Sequence, residues 1–138
     1  MADLSGGSVS YRLWAGAGQN DLKKGAQAGT VTVQTCSSGS SQYCAFFTTS
    51  GTGYVITTAH VEASCDALST RTSNNFPCAP GGYNLNNGGT CGSNGLPGTS
   101  WKSGPLPDCP SKKYALIFHA AVSKDTGCTA TNCGNPDA

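Results

Sequence analysis

Charge is scarce in this chain. Asp, Glu, Lys and Arg make up 11% of its 138 residues, against about 25% in an ordinary soluble domain. The net charge is +1, and no basic run is longer than the pairs Lys23-Lys24 and Lys112-Lys113. Nucleic acid is gripped by clustered Lys and Arg, so it is excluded as a partner. No apolar run approaches the roughly 20 residues of a membrane span, which excludes membrane insertion by a helix. No stretch shows a 3.6-residue apolar period, and no segment repeats. The chain has no Asn-x-Ser/Thr sequon, no Asp-rich calcium loop and no Gly-Asp-Ser-Gly phrase. Thr57-Thr58-Ala59-His60 therefore resembles the histidine strand of a trypsin-like protease only superficially, because that chemistry needs a nucleophilic serine and a buried Asp as well.

Cysteine, glycine and small polar residues are what the chain does have. There are 8 Cys, 19 Gly and 7 Pro, with many Ser, Thr and Asn, and these imply abundant turns. The cysteines stand at 36, 44, 65, 78, 91, 109, 128 and 133. None forms the Cys-x-x-Cys pairs of a zinc site. Their even number in a short chain points instead to disulfides, hence to a secreted or cell-surface protein. Met1-Ala2-Asp3 reads as an initiator ahead of a mature chain. The length suits one domain, residues 1–138.

Alternation supplies the strands. Val9, Tyr11 and Leu13 face one way over Ser8 to Trp14, and Val31 and Val33 do so over Gly29 to Thr35. Cys36 to Cys44 is a polar turn, and Ala45 to Thr49 returns as a third strand. Gly53 to Cys65 is the longest run with strand character, and Tyr114 to Val122 is strongly apolar. Between them, residues 66–113 lose all pattern and read as a long Gly-, Asn-, Pro- and Cys-rich loop held by bridges. The fold expected is all-β, an antiparallel β-sandwich with a long disulfide-stapled loop.

Three groupings could carry function. His60 and Glu62, at i and i+2, share a strand face, and His119 lies on the other long strand. Two imidazoles and a carboxylate suit a metal site or acid–base cleavage of a phosphodiester. The plain alternative is a polar sheet face with a histidine bonded to backbone, and it carries more weight. The second grouping is aromatic: Trp14, Tyr43, Tyr54, Tyr83 and Trp101. Of these, Tyr83, Trp101 and Tyr43 are the binding candidates, for stacking on a sugar or for contact with a protein partner; otherwise they plug the ends of a core. The third is the scattered acidic residues, which make no metal motif. No cofactor is implied.

Local geometry proposes the disulfides. Cys36 and Cys44 flank one turn, and Cys128 and Cys133 close another. Cys65 ends one long strand and Cys109 precedes the other, so antiparallel neighbours would bring them together. Cys78 and Cys91 remain to hold the loop. Extending the register from a Cys65–Cys109 bridge sets His60 opposite Tyr114 and His119 opposite Val55. The two histidines would then stand about 17 Å apart, too far for one site unless the strands shift by about five residues.

Four phrases carry a resemblance: Leu13-Trp14-Ala15-Gly16-Ala17-Gly18-Gln19, Ala28-Gly29-Thr30-Val31-Thr32-Val33, the Tyr54–Ser64 strand with His60, and Tyr114-Ala115-Leu116-Ile117-Phe118-His119-Ala120-Ala121-Val122. Their order resembles a β-rich module of secreted and cell-surface proteins with phrases of the type LYAGQ, GTVTV, TETHLYVG and YIAAHAVV. That module often continues into a Trp-Gly phrase, which this chain does not have. The resemblance implies an extracellular location, a β fold and an accessory role, and it assigns no catalytic residues. The expected functions, in order, are a non-catalytic extracellular structural or adhesive module that associates with itself, a carbohydrate-binding module, and a small secreted hydrolase using His60, Glu62 and His119.

Overall fold

The computed structural model describes residues 1–16, 23, 25–65, 85–86 and 98–124. Strands dominate them, at 61% against 1% helix. In chain order they are β1 (Ala2–Asp3), β2 (Val9–Ala15), β3 (Ala26–Thr35), β4 (Tyr43–Thr48), β5 (Tyr54–Ser64), β6 (Leu85–Asn86), β7 (Ser100–Lys102) and β8 (Lys113–Lys124). Two antiparallel sheets result, ordered β1-β8-β5-β6 and β2-β3-β4-β7. The five longest strands are those that alternation predicts, each within two or three residues at its ends.

The segment 66–113 is not wholly a loop. It contributes β6 and β7, and β7 pairs with β4 so that Trp101 stands beside Phe47. Three residues are too few to show a period, so β7 leaves no trace in the sequence pattern. Gly98 exchanges two backbone hydrogen bonds with Ile56 of the first sheet, at 2.7 and 3.1 Å. A few residues later the chain runs along β4 of the second sheet, where the Ser103 hydroxyl accepts from the Ala45 amide at 2.9 Å. The segment Gly98–Ser103 therefore ties one sheet to the other.

Both sheets supply the core. Val31, Val33, Ala45, Phe47 and Trp101 come from the second sheet, and Ile56, Ala59, Val61, Ala63 and Tyr114 from the first. Phe47 sits edge-on to Trp101 at 5.4 Å and to Phe118 of the first sheet at 6.0 Å. Gly29 lies where β3 meets the end of β4. A Cβ there would land on the Thr48 carbonyl oxygen, so the strand needs glycine at this close approach.

Two of the expected bridges are present, Cys36–Cys44 and Cys65–Cys109, with Cα atoms 4.9 and 5.4 Å apart. Cys78–Cys91 and Cys128–Cys133 lie outside the described residues. Two disulfides fit an extracellular protein, and among the described residues no helix is long and apolar enough to cross a membrane.

The register expected from Cys65–Cys109 is corrected. His119, not Tyr114, stands opposite His60, and Ser123, not His119, stands opposite Val55. The reason is a turn. The Lys112 amide donates to the Cys109 carbonyl at 2.8 Å, and Lys112 takes a φ of 55°. The chain doubles back after the bridge before β8 begins, which displaces the strand by the five positions between Tyr114 and His119.

Candidate functional site

A β-bulge sets the face on which the histidines lie. Ile56 points into the core, and strict alternation from it would send Thr58, His60 and Glu62 inward as well. The pairing slips between Ile56 and Thr58, and the extra residue, Thr57, reverses the phase. Its hydroxyl donates to the Ala121 carbonyl at 3.2 Å across the irregularity. Beyond the bulge Ala59, Val61 and Ala63 point into the core, and His60 and Glu62 fall on the opposite face of the strand. On β8, Leu116, Phe118, Ala120 and Val122 pack on the core, which leaves His119 on the outer face.

His60 and His119 are thus direct cross-strand partners, with ring centroids 5.6 Å apart and planes tilted by 39°. The expectation that they stand too far apart for one site is corrected. Glu62 lies two residues further along the same face, opposite Ile117, and is 3% exposed. His60 is half-buried and His119 exposed. Among the described residues no three His, Cys, Asp or Glu side chains are grouped to hold a metal ion, so the structure brings together two of the three residues of this candidate set.

Burial, and then the nearby His60 charge, hold the His119 imidazole below its ordinary pKa. Folding therefore favours its neutral form. The unfolded chain binds the proton more readily, so this contribution to stability is present above the ordinary histidine value of about 6.5. It declines as pH falls from there toward the lowered value, and is flat below it. Because His119 is exposed, the effect on stability is small. The expected result of a histidine NMR titration is a His119 midpoint below the ordinary value; a midpoint at or above it would contradict the partial burial of the ring beside His60.

Of the aromatic candidates, Trp101 and Tyr43 are buried, Trp101 against Phe47 and Tyr43 edge-on to Tyr114 at 6.3 Å. Both pack in the core, the alternative role that the sequence offered, and each also lines a groove, Trp101 the one beside Phe46 and Tyr43 one with Leu106 and Pro107. Tyr83 lies outside the described residues. The aromatic that does reach the outer face of the second sheet is Phe46, with the Lys102 ammonium 5.6 Å from its ring centre. It lines a groove of about 690 Å³ with Trp101, Thr32, Gln34, Thr48 and Ser100. Its exposure follows from alternation with Phe47, a signal present in the sequence.

The feature that sequence reasoning missed is an edge of β8 that is largely unpaired among the described residues. Among the described residues, that edge pairs only at Lys113 and Tyr114, with Asp3 and Ala2. From Ala115 to Ser123 the strand carries no proline and no Lys, Arg, Asp or Glu. Beside it runs a groove of about 530 Å³ lined by Met1, Tyr11, Tyr114, Leu116 and Phe118. Met1 (60% exposed) and Tyr11 (40%) are the exposed large apolar side chains among the described residues, and both belong to this one groove. A second groove, about 460 Å³, shares Phe118 and lies against Leu13, Trp14, Ala120 and Val122. No family model matches the chain, nor does any curated protein or solved structure.

Proposed function

We propose that this protein is a non-catalytic extracellular structural module, a two-sheet β-sandwich that associates with further copies of itself along the edge of β8 that is unpaired among the described residues. The observation that carries the reading is the convergence of that edge with the exposed Met1 and Tyr11 at one groove. Soluble β proteins guard sheet edges with inward charges, proline or a cover. The only charged residues of β8 are the lysines at its two ends, Lys113 and Lys124. Main-chain bonds from an added strand would satisfy the edge, and the half-buried apolar residues Leu116, Phe118, Ala120 and Val122 would pack against its side chains. A net charge of +1 adds little repulsion between copies. The disulfides support the extracellular setting.

The test is sedimentation velocity of the oxidised protein over a wide concentration range. The expected result is mass above the monomer that grows with concentration. Tyr11→Lys is expected to weaken that association about tenfold or more, the scale of an aromatic anchor lost from an interface, with a modest fall in melting temperature because the Tyr11 ring also meets Phe118 at 5.5 Å. A monomer that persists to about millimolar concentration, where even weak contacts populate, would sink the reading.

The Phe46 groove favours a second reading, as a carbohydrate-binding module. An apolar ring among Thr, Gln, Ser and Lys side chains suits a sugar's mixed surface. Saturating binding of a glycan that is lost in Phe46→Ser would move this reading ahead of the first. The hydrolase reading gains from the closeness of His60 and His119, and turnover of a phosphodiester lost in His119→Gln would favour it.

A further inference from the structure

We propose that His60 and His119 together bind one divalent transition-metal ion of the copper, nickel or zinc class. Imidazole nitrogen is the ligand type these ions prefer, whereas calcium and magnesium take oxygen. A metal–nitrogen bond of about 2.1 Å, with about 1.1 Å more to the ring centre, puts each centroid roughly 3.2 Å from a bound ion. Two such rings at an angle of about 110–120° would have centroids roughly 5.2–5.5 Å apart. The observed separation is 5.6 Å. The ring separation is thus close to that of a chelating pair.

The backbone supplies preorganisation. His60 and His119 are register partners within ten paired positions of β5 and β8, and Cys65–Cys109 ties the end of β5 to the turn before β8. The entropic cost of bringing two ligands together is thus met in folding, which is what makes two side chains suffice for a measurable site. His119 is exposed and gives an ion access, while half-buried His60 limits the alternatives open to the second ring. The Irving–Williams order sets copper as the tightest ion.

The experiment is calorimetric titration of the untagged, oxidised full chain with Cu²⁺, Zn²⁺ and Ca²⁺, followed in parallel by NMR of the histidine rings and by electron paramagnetic resonance of the Cu²⁺ form. The expected results are one Cu²⁺ per chain, weaker Zn²⁺, no Ca²⁺ at the histidines, and two nitrogen ligands in the Cu²⁺ spectrum. His119→Gln is expected to weaken Cu²⁺ binding at least tenfold with an unchanged circular dichroism spectrum. His60→Gln is expected to do the same; because that position is half-buried and its variant can misfold, the nitrogen count on the unmodified chain stands as the independent measure of His60. A single nitrogen ligand, or Cu²⁺ binding that survives His119→Gln, overturns the proposal.

Discussion

Phe47→Ala is expected to lower the stability of the oxidised protein by about 3–5 kcal/mol, the usual cost of deleting a buried aromatic side chain. Phe47 is fully buried at the middle of β4, between Val31 of β3 and Trp101 of β7. Its ring meets Trp101 in its own sheet and Phe118 in the other. Edge-to-face pairs of this kind contribute about 0.5–1.5 kcal/mol each beyond area burial. The substitution therefore removes apolar volume, two ring contacts and a link between the sheets together. Against a total stability of about 5–15 kcal/mol for a domain, it takes a large share. Denaturant unfolding followed by tryptophan fluorescence is the measurement, and the midpoint should fall with little change in slope. A loss under about 1 kcal/mol, typical of a surface position, would mean that the two sheets do not share a core at Phe47.

Removing the Cys65–Cys109 bridge, as the paired Cys65→Ala and Cys109→Ala variant, should cost about 4 kcal/mol. That is the loop-closure estimate for its sequence separation of 44. The same estimate for Cys36–Cys44, with a separation of 8, is about 2.5 kcal/mol. The order of the two is the sharper expectation, because a strain or solvation origin for disulfide stability carries no such dependence on loop length. Cys109 is also buried in the core and Cys65 is exposed, so the first bridge anchors the surface end of β5 to the interior. Thermal melts of the two double variants decide it. A larger loss from the Cys36–Cys44 pair would refute the loop-closure account. Peptide mapping of the unreduced protein checks the connectivity itself; a Cys65–Cys78 link would contradict the structure.

The long strands could be read from the chain because each is half-buried. A strand with one face on a core must alternate, and Val9-Ser10-Tyr11-Arg12-Leu13 does so whatever its partner. Both described bridges could be read because their cysteines sit at strand ends that antiparallel pairing brings together. Strand β7 could not be read, since three residues around Trp101 hold too little pattern, and so the core position of Trp101 beside Phe47 could not be told from a place on the surface. The apolar run Tyr114 to Val122 reads as a central strand, and β8 does lie between β1 and β5, but that β1 pairs with only two of its residues depends on what lies beside the strand and leaves no mark on its own sequence.

The histidine pair shows where the boundary falls. Sequence alone determined that His60 and Glu62 share a face, that His119 lies on another strand, and that the two strands are joined near Cys65 and Cys109. Only the tertiary structure decided that the imidazoles meet. Five positions are an odd number, so the displacement introduced by the Cys109–Lys112 turn exchanges the faces of β8, taking core-facing Tyr114 away from His60 and bringing His119 opposite it. The Thr57 bulge makes the matching change in β5. Alternation reports which residues share a face within one strand; the phase between two strands is set by a turn and an inserted residue, and neither leaves a mark on that period.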